Sequence, residues 1–183
     1  MNEKLFTICV FTENKVGLLN RISGIFTRRK MNILSLTTSE SEIKDVYRFT
    51  ITIKQPLSEV IKVTKVIEKQ VGVLKAFYYE EDNGIFREIA LYKLPIEFAT
   101  PENIEKYVHA YGARVIDQEP EFIIIEKTGT ERDTQVLFDL LKPFHIMGFV
   151  RSGRVALARS LPQLRNYLDQ LHLDSFEEVS LLN

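Results

Sequence analysis

The segment whose residue types most resemble a built site is Glu13-Asn14-Lys15-Val16-Gly17-Leu18-Leu19, where a β-rich run gives way to a helical one. A helix N-terminus offers N–H groups without intrahelical partners and a partial positive charge, and both suit a carboxylate. Gly17 lets a ligand approach the backbone closely, and Asn14 adds an amide donor and acceptor. This is the chemistry of holding a small anion, with no bond made or broken. The residues alone fit equally well a plain turn, in which Gly17 only permits the bend and Asn14 only caps the helix.

Other chemistry-bearing residues are scattered. His109, His145 and His172 fall in separate segments without metal-ligand spacing or a carboxylate partner, so they are expected to be surface or packing residues. No GxGxxG, Walker A, GxSxG or HExxH pattern occurs, and the run 148–153 lacks the strand-to-helix context of a phosphate loop. Glu80-Glu81 and Glu177-Glu178 sit in polar surroundings and are expected to be solvated faces. Cys9, the single cysteine, excludes an internal disulfide and a multi-cysteine metal site, and it suits a reducing compartment. No catalytic residue is predicted, and no cofactor or metal site in this chain.

The elements that must position the turn follow from periodicity. Residues 5–12 are rich in β-branched and aromatic types and predict a strand, and Leu18, Leu19, Ile22, Ile25 and Phe26 recur at helical spacing up to Arg28-Arg29-Lys30. Asn32 opens a strand at 33–38, and 47–53 alternates as its hairpin partner. A second helix follows Pro56 through Val60, Val63 and Ile67, despite β-branching that weakens its propensity. A strand over 71–79 completes a βαββαβ order, the ferredoxin-like unit with both helices on one face of an antiparallel sheet.

The polar stretch 80–84 marks a boundary, after which the order repeats. A strand is expected at 87–94, a helix from Thr100-Pro101-Glu102 to Gly112, strands at 113–117 and 121–127, a capping box at Thr130 to Asp133, and a last strand at 155–158. The fold class is therefore α+β, with two ferredoxin-like sandwiches over residues 4–80 and 85–160. An extension over 161–183 carries leucines at 161, 164, 168 and 171 and suits a short amphipathic helix.

The 183 residues carry 24 Lys plus Arg against 25 Asp plus Glu, a formal charge of −1 that gives no global field for nucleic acid or an anionic membrane. Tyr47, Phe49 and Phe77 are placed as the aromatics of an RNA-binding sheet would be, but the neutral charge favours packing roles. The densest apolar run, 122–125, is far short of the roughly 18 residues that cross a bilayer. The start shows no secretory pattern, so the cytoplasm is the expected compartment.

The run FTENKVGLLNRISGIFTRRKMNILSLT resembles the ACT domain of acetolactate synthase (acetohydroxyacid synthase) small subunits, with Glu13, Asn14, Gly17, Leu19, Arg21, Gly24, Phe26, Arg29, Asn32, Ile33, Ser35 and Leu36 in register. The likeness continues in Arg87-Glu88-Ile89-Ala90-Leu91, in Glu126-Lys127-Thr128-Gly129-Thr130, and in Arg151 to Arg159, where RSGRVALAR resembles the family's closing motif. Lys62, Val66 and Gly148 depart from residues common in the family.

The resemblance implies a non-catalytic regulatory subunit that activates a separate thiamine-diphosphate catalytic subunit and confers feedback inhibition by valine in branched-chain amino-acid synthesis. Thiamine diphosphate, magnesium and FAD are expected in that partner. It further implies a homodimer through the ACT domain, with valine between Asn14, Gly17 and Leu18 of one chain and Asn32 and Ile33 of the other. An ACT-type sensor serving another enzyme or a transcription regulator is the alternative.

Overall fold

The computed structural model describes residues 3–100 and 104–159. Its first unit runs β1 (Lys4–Glu13), α1 (Leu18–Arg28), β2 (Ile33–Glu40), β3 (Val46–Gln55), α2 (Leu57–Glu68) and β4 (Val73–Glu80). The strands form an antiparallel sheet in the order β2-β3-β1-β4, so β1 and β3 are central and β2 has a free edge. Phe6, Ile8 and Val10 of β1 pack with Ile51 and Ile53 of β3 against Ile22, Ile25 and Phe26 of α1 and Val60, Val63 and Ile67 of α2. Each fully buried side chain of this size stabilises the fold by about 1.5–3 kcal/mol, which outweighs the weak helix propensity of α2.

The second unit runs β5 (Gly84–Pro95), α3 (Lys106–Ala110), β6 (Arg114–Gln118), β7 (Phe122–Gly129), α4 (Glu131–Leu141) and β8 (Gly148–Arg151), with sheet order β6-β7-β5-β8. Its core joins Tyr92 and Leu94 of β5 and Ile123 and Ile125 of β7 to Val108, Leu137 and Leu141 of the helices. The capping box forms as the sequence predicts: the Thr130 hydroxyl accepts from the Asp133 N–H, and the Asp133 carboxylate accepts from the Thr130 N–H at 2.9 Å. The expected start of α3 lies partly on residues 101–103, outside the described residues, as do the 161–183 extension, His172, Glu177 and Glu178.

One element differs from expectation. The strand that closes the second unit is β8, and the predicted strand β9 (Val155–Ala158) pairs instead with the first residues of β5, from Gly84↔Ala158 to Arg87↔Val155. β8 is only four residues long and begins with glycine, so it carries no alternation to read. Past Ser152 the chain turns to lay β9 against the first sheet. The Thr37 hydroxyl donates to the Arg154 carbonyl at 3.2 Å, the Arg48 guanidinium donates to the Ala156 carbonyl, and Phe86 and Ala156 bury against Cys9 and Tyr79. This contact explains why β1 is buried on both faces, with Thr7 and Cys9 as inaccessible as Phe6 and Ile8.

Candidate functional site

The Glu13–Leu19 turn stands at one end of the first sheet, where β1 ends. It is pinned by backbone bonds: the Glu13 N–H donates to Gly72 O at 2.9 Å and the Asn14 N–H to Asp45 O at 3.0 Å. Gly17 is the N-cap of α1 at φ +87°, in the left-handed region that favours glycine, and no heavy atom lies within 4 Å of where a Cβ would stand. Asn14 does not cap the helix, since the cap position is Gly17 and has no side-chain bond. Asn14, Lys15, Val16 and Gly17 are all exposed, so the start of α1 is open to a ligand. The first N–H groups of such a helix have no intrahelical acceptors.

Leu18 is only 3% exposed, and its methyls lie 3.2 Å from where a Gly72 Cβ would stand. Its side chain therefore forms the floor of the turn, and Gly72, at φ +88°, gives it room. Asn32 is exposed and Ile33 half-buried at the start of β2. Ile33 aligns with Ile53 and Ile53 with Phe6, seven residues along β1 from Glu13. At about 3.3 Å per residue that is roughly 23 Å. Within one chain the structure thus brings Asn14, Gly17 and Leu18 together and leaves Asn32 and Ile33 at the opposite end of the sheet, beside the free edge of β2.

The motifs of the second half meet at a different place. Glu88 of β5, 6% exposed, accepts the Thr134 hydroxyl at 2.5 Å, and its Oε1 lies 3.0 Å from Arg151 Nε of β8. Beside it the buried Tyr92 hydroxyl donates to Thr134 O at 2.7 Å, and burial pushes its pKa up to about 12. Arg154, 7% exposed, pairs with Glu81 and reaches Glu131 at the start of α4 at 3.6 Å. A cleft of about 810 Å³ opens here, yet Glu81, Glu88, Glu131 and Arg154 on its walls are paired with one another or with Arg151. It has the build of a structural junction and does not coincide with the turn.

Sequence reasoning missed Arg48 and Arg154 as the residues that tie β9 to the rest. Arg48 lies over the Phe11 ring at 5.4 Å and donates to Cys9 Sγ at 3.4 Å. The only advance signal was the arginine-rich closing motif. Phe49 belongs to the core, while Tyr47 and Phe77 are half-buried against it and its neighbours, which leaves no aromatic platform for bases. His109 and His145 are exposed. Among the described residues no three His, Cys, Asp or Glu side chains are grouped to hold a metal, and no helix is long and apolar enough to cross a membrane.

Comparison with known proteins fits this architecture. Residues 8–75 match the sequence model of the "AHAS small subunit-like ACT domain", and residues 87–160 that of the "Small subunit of acetolactate synthase". The acetolactate synthase small subunit of Mycolicibacterium smegmatis is 37% identical over 153 residues, covering 84% of this chain and 90% of that protein. That of Bacillus subtilis is 33% identical over 162 residues, covering 88% and 93%. The crystal structure of the Thermotoga maritima acetolactate synthase small subunit superposes with a TM-score of 0.79 at 28% identity, over 87% of this chain and 99% of that one. With both halves matched in order and most of the length of these relatives covered, the chain belongs to the family of acetolactate synthase small subunits.

Proposed function

We propose that this chain is the regulatory subunit of acetolactate synthase, and that it senses valine at a site shared by two copies. Asn14, Gly17 and Leu18 of one chain form one side, and Asn32 and Ile33 of the second form the other. The valine carboxylate meets the N–H groups that open α1, its ammonium meets amide and carbonyl oxygens, and its branched side chain lies between the Leu18 floor and Ile33. The observation that carries this reading is the open turn at Gly17, some 23 Å from its complement in the same chain. Pairing of the free β2 edges joins the two sheets and brings the residues of two chains together.

On this reading residues 4–80 bind effector and dimerise, and residues 85–160 form the second unit. The subunit works in the cytoplasm and has no active site of its own. The catalytic subunit, which holds thiamine diphosphate, magnesium and FAD, joins two 2-oxoacids; this chain activates it, and valine favours an arrangement of the dimer that lowers that activity.

Complementation tests the shared site. Gly17→Asp damages one side and Asn32→Ala with Ile33→Ala the other, so each variant alone loses valine binding by calorimetry. Equal amounts of the two chains, mixed and re-equilibrated, recover binding at about a quarter of the sites if each site draws on two chains, since half of the dimers are mixed and each of these has one intact site. No recovery, with mixed dimers demonstrated by mass spectrometry, contradicts the arrangement.

A further inference from the structure

The two units touch through a contact unlike either core. Past Ser152 the Arg154 carbonyl accepts the Thr37 hydroxyl of β2 at 3.2 Å, and the Ala156 carbonyl of β9 accepts the Arg48 guanidinium of β3. Register sets Ser35, Thr52, Thr7 and Tyr79 in one row across the first sheet and Thr37, Thr50, Cys9 and Phe77 in the next. The face beneath β9 is thus rich in hydroxyls, where the helix side is built on Phe6, Ile8, Ile51 and Ile53. Thr7 Oγ1 and Arg48 Nε are buried without a hydrogen-bond partner among the described residues. A small polar contact of this kind lets two units change their relative placement, whereas a large apolar one fixes it.

β2 is the strand of the first sheet freest to shift. It pairs with β3 alone, none of its residues is buried, and a bulge breaks its register between Ile33 and Ser35. Ile33 belongs to the proposed valine site, and Thr37 stands about 13 Å further along the strand. On the other side of the contact is Arg154. Its carbonyl takes the Thr37 bond, while its buried guanidinium pairs with Glu81, lies 5.1 Å from the centre of the Phe86 ring and reaches Glu131 at the start of α4 at 3.6 Å. A displacement of β2 therefore acts on the segment that positions α4.

Building on the valine site proposed above, we infer that β9 couples that site to the second unit: it has two positions, Thr37 and Arg48 hold one of them, and valine at the start of β2 shifts the balance. Thr37 and Arg48 are positioning residues that touch no effector. Valine and the β9 contacts bias one two-state equilibrium, and such coupling is reciprocal, changing affinity by about 5–150-fold. A chain held in one position and a chain released from it must then bracket the parent in valine affinity. A purely structural clamp gives no bracketing, since its loss lowers stability and leaves valine affinity alone.

The test locks and releases β9 in the full chain. A Cβ on Gly153 would stand 2.3 Å from Thr37 Oγ1, and Gly153 lies outside the left-handed region. Thr37→Cys with Gly153→Cys therefore brings two Cβ atoms within about 4 Å, the reach of a disulfide. Cys9 is buried and stays out of the reaction. Diamide closes the lock, verified by intact mass as a bond within one chain, and dithiothreitol opens it. Arg48→Met keeps the stem of the side chain and loses the donor; Thr37→Val removes the other donor, and melting checks that both chains fold. By calorimetry the valine Kd of the locked and released chains should differ at least fivefold, with the parent between them. Saturating valine should leave the rate of the catalytic subunit unchanged with the locked chain, and reduction should restore the response. Equal Kd values in the locked and released chains overturn the inference, as does a locked chain that valine still switches. A parent chain that binds no valine overturns the valine site itself and the inference with it, an outcome read separately in the same titration.

Discussion

Gly17→Asp puts a carboxylate where the effector carboxylate is proposed to sit. The backbone cost is modest: φ is +87°, no atom within 4 Å obstructs a Cβ, and a non-glycine residue in the left-handed region loses about 1–2 kcal/mol, with Asp among the better tolerated. The electrostatic cost to binding is set by solvent access. Two carboxylates about 4 Å apart repel by about 1 kcal/mol in water and about 4 kcal/mol near a protein surface, or roughly fivefold to a thousandfold in Kd. Gly17→Ala separates the two effects, since it carries the backbone cost without the charge. Calorimetric titration with valine should therefore show Gly17→Ala weakened slightly and Gly17→Asp weakened at least fivefold more, with both chains still melting cooperatively and still binding the catalytic subunit. Equal valine affinity in Gly17→Asp and the parent would refute the placement of the carboxylate at the α1 N-terminus.

Two further predictions concern the frame that holds the site. At Gly153 a Cβ would stand 2.3 Å from Thr37 Oγ1, so Gly153→Ala forces that hydroxyl off the Arg154 carbonyl and costs about 1–3 kcal/mol by urea unfolding; Thr37→Ala in the same chain recovers most of it. Thr130→Ala removes the cap of α4 and costs about 1 kcal/mol. The Thr130 N–H and hydroxyl hold the Asp133 carboxyl below its ordinary value, so their contribution is present above the unfolded carboxylate range and is lost as pH falls through the lower native value. The gap in melting temperature between Thr130→Ala and the parent should accordingly be constant near neutral pH and narrow below about pH 4, leaving the part due to the Asp133 N–H bond to the hydroxyl; a gap that does not narrow in acid contradicts the assignment.

The first sheet was legible because each element carries one period over most of its length: β3 alternates, and α1 repeats its apolar residues on one side. The capping box at Thr130 was legible because its chemistry is local. What could not be read were contacts between distant segments. Thr7 and Cys9 lie on the face of β1 away from Phe6 and Ile8, and no local pattern shows that Phe86 of β5 and Ala156 of β9, from distant segments, bury against that face. The alternation of Val155 and Leu157 signalled a strand correctly but not its partner, and here the larger side chains face out while Ala156 faces in. At the candidate site, the glycine turn could be seen from its residues. The distance between Gly17 and Asn32 depends on the strand order, which no local pattern encodes.

The decisive measurement is acetolactate formation by the catalytic subunit of the same organism, assayed with and without this chain across a valine titration. The chain is expected to stimulate the catalytic subunit, valine to reverse that stimulation, and Gly17→Asp to lose the reversal but not the stimulation. A catalytic subunit whose rate is the same with and without the chain at every valine concentration would contradict that expectation.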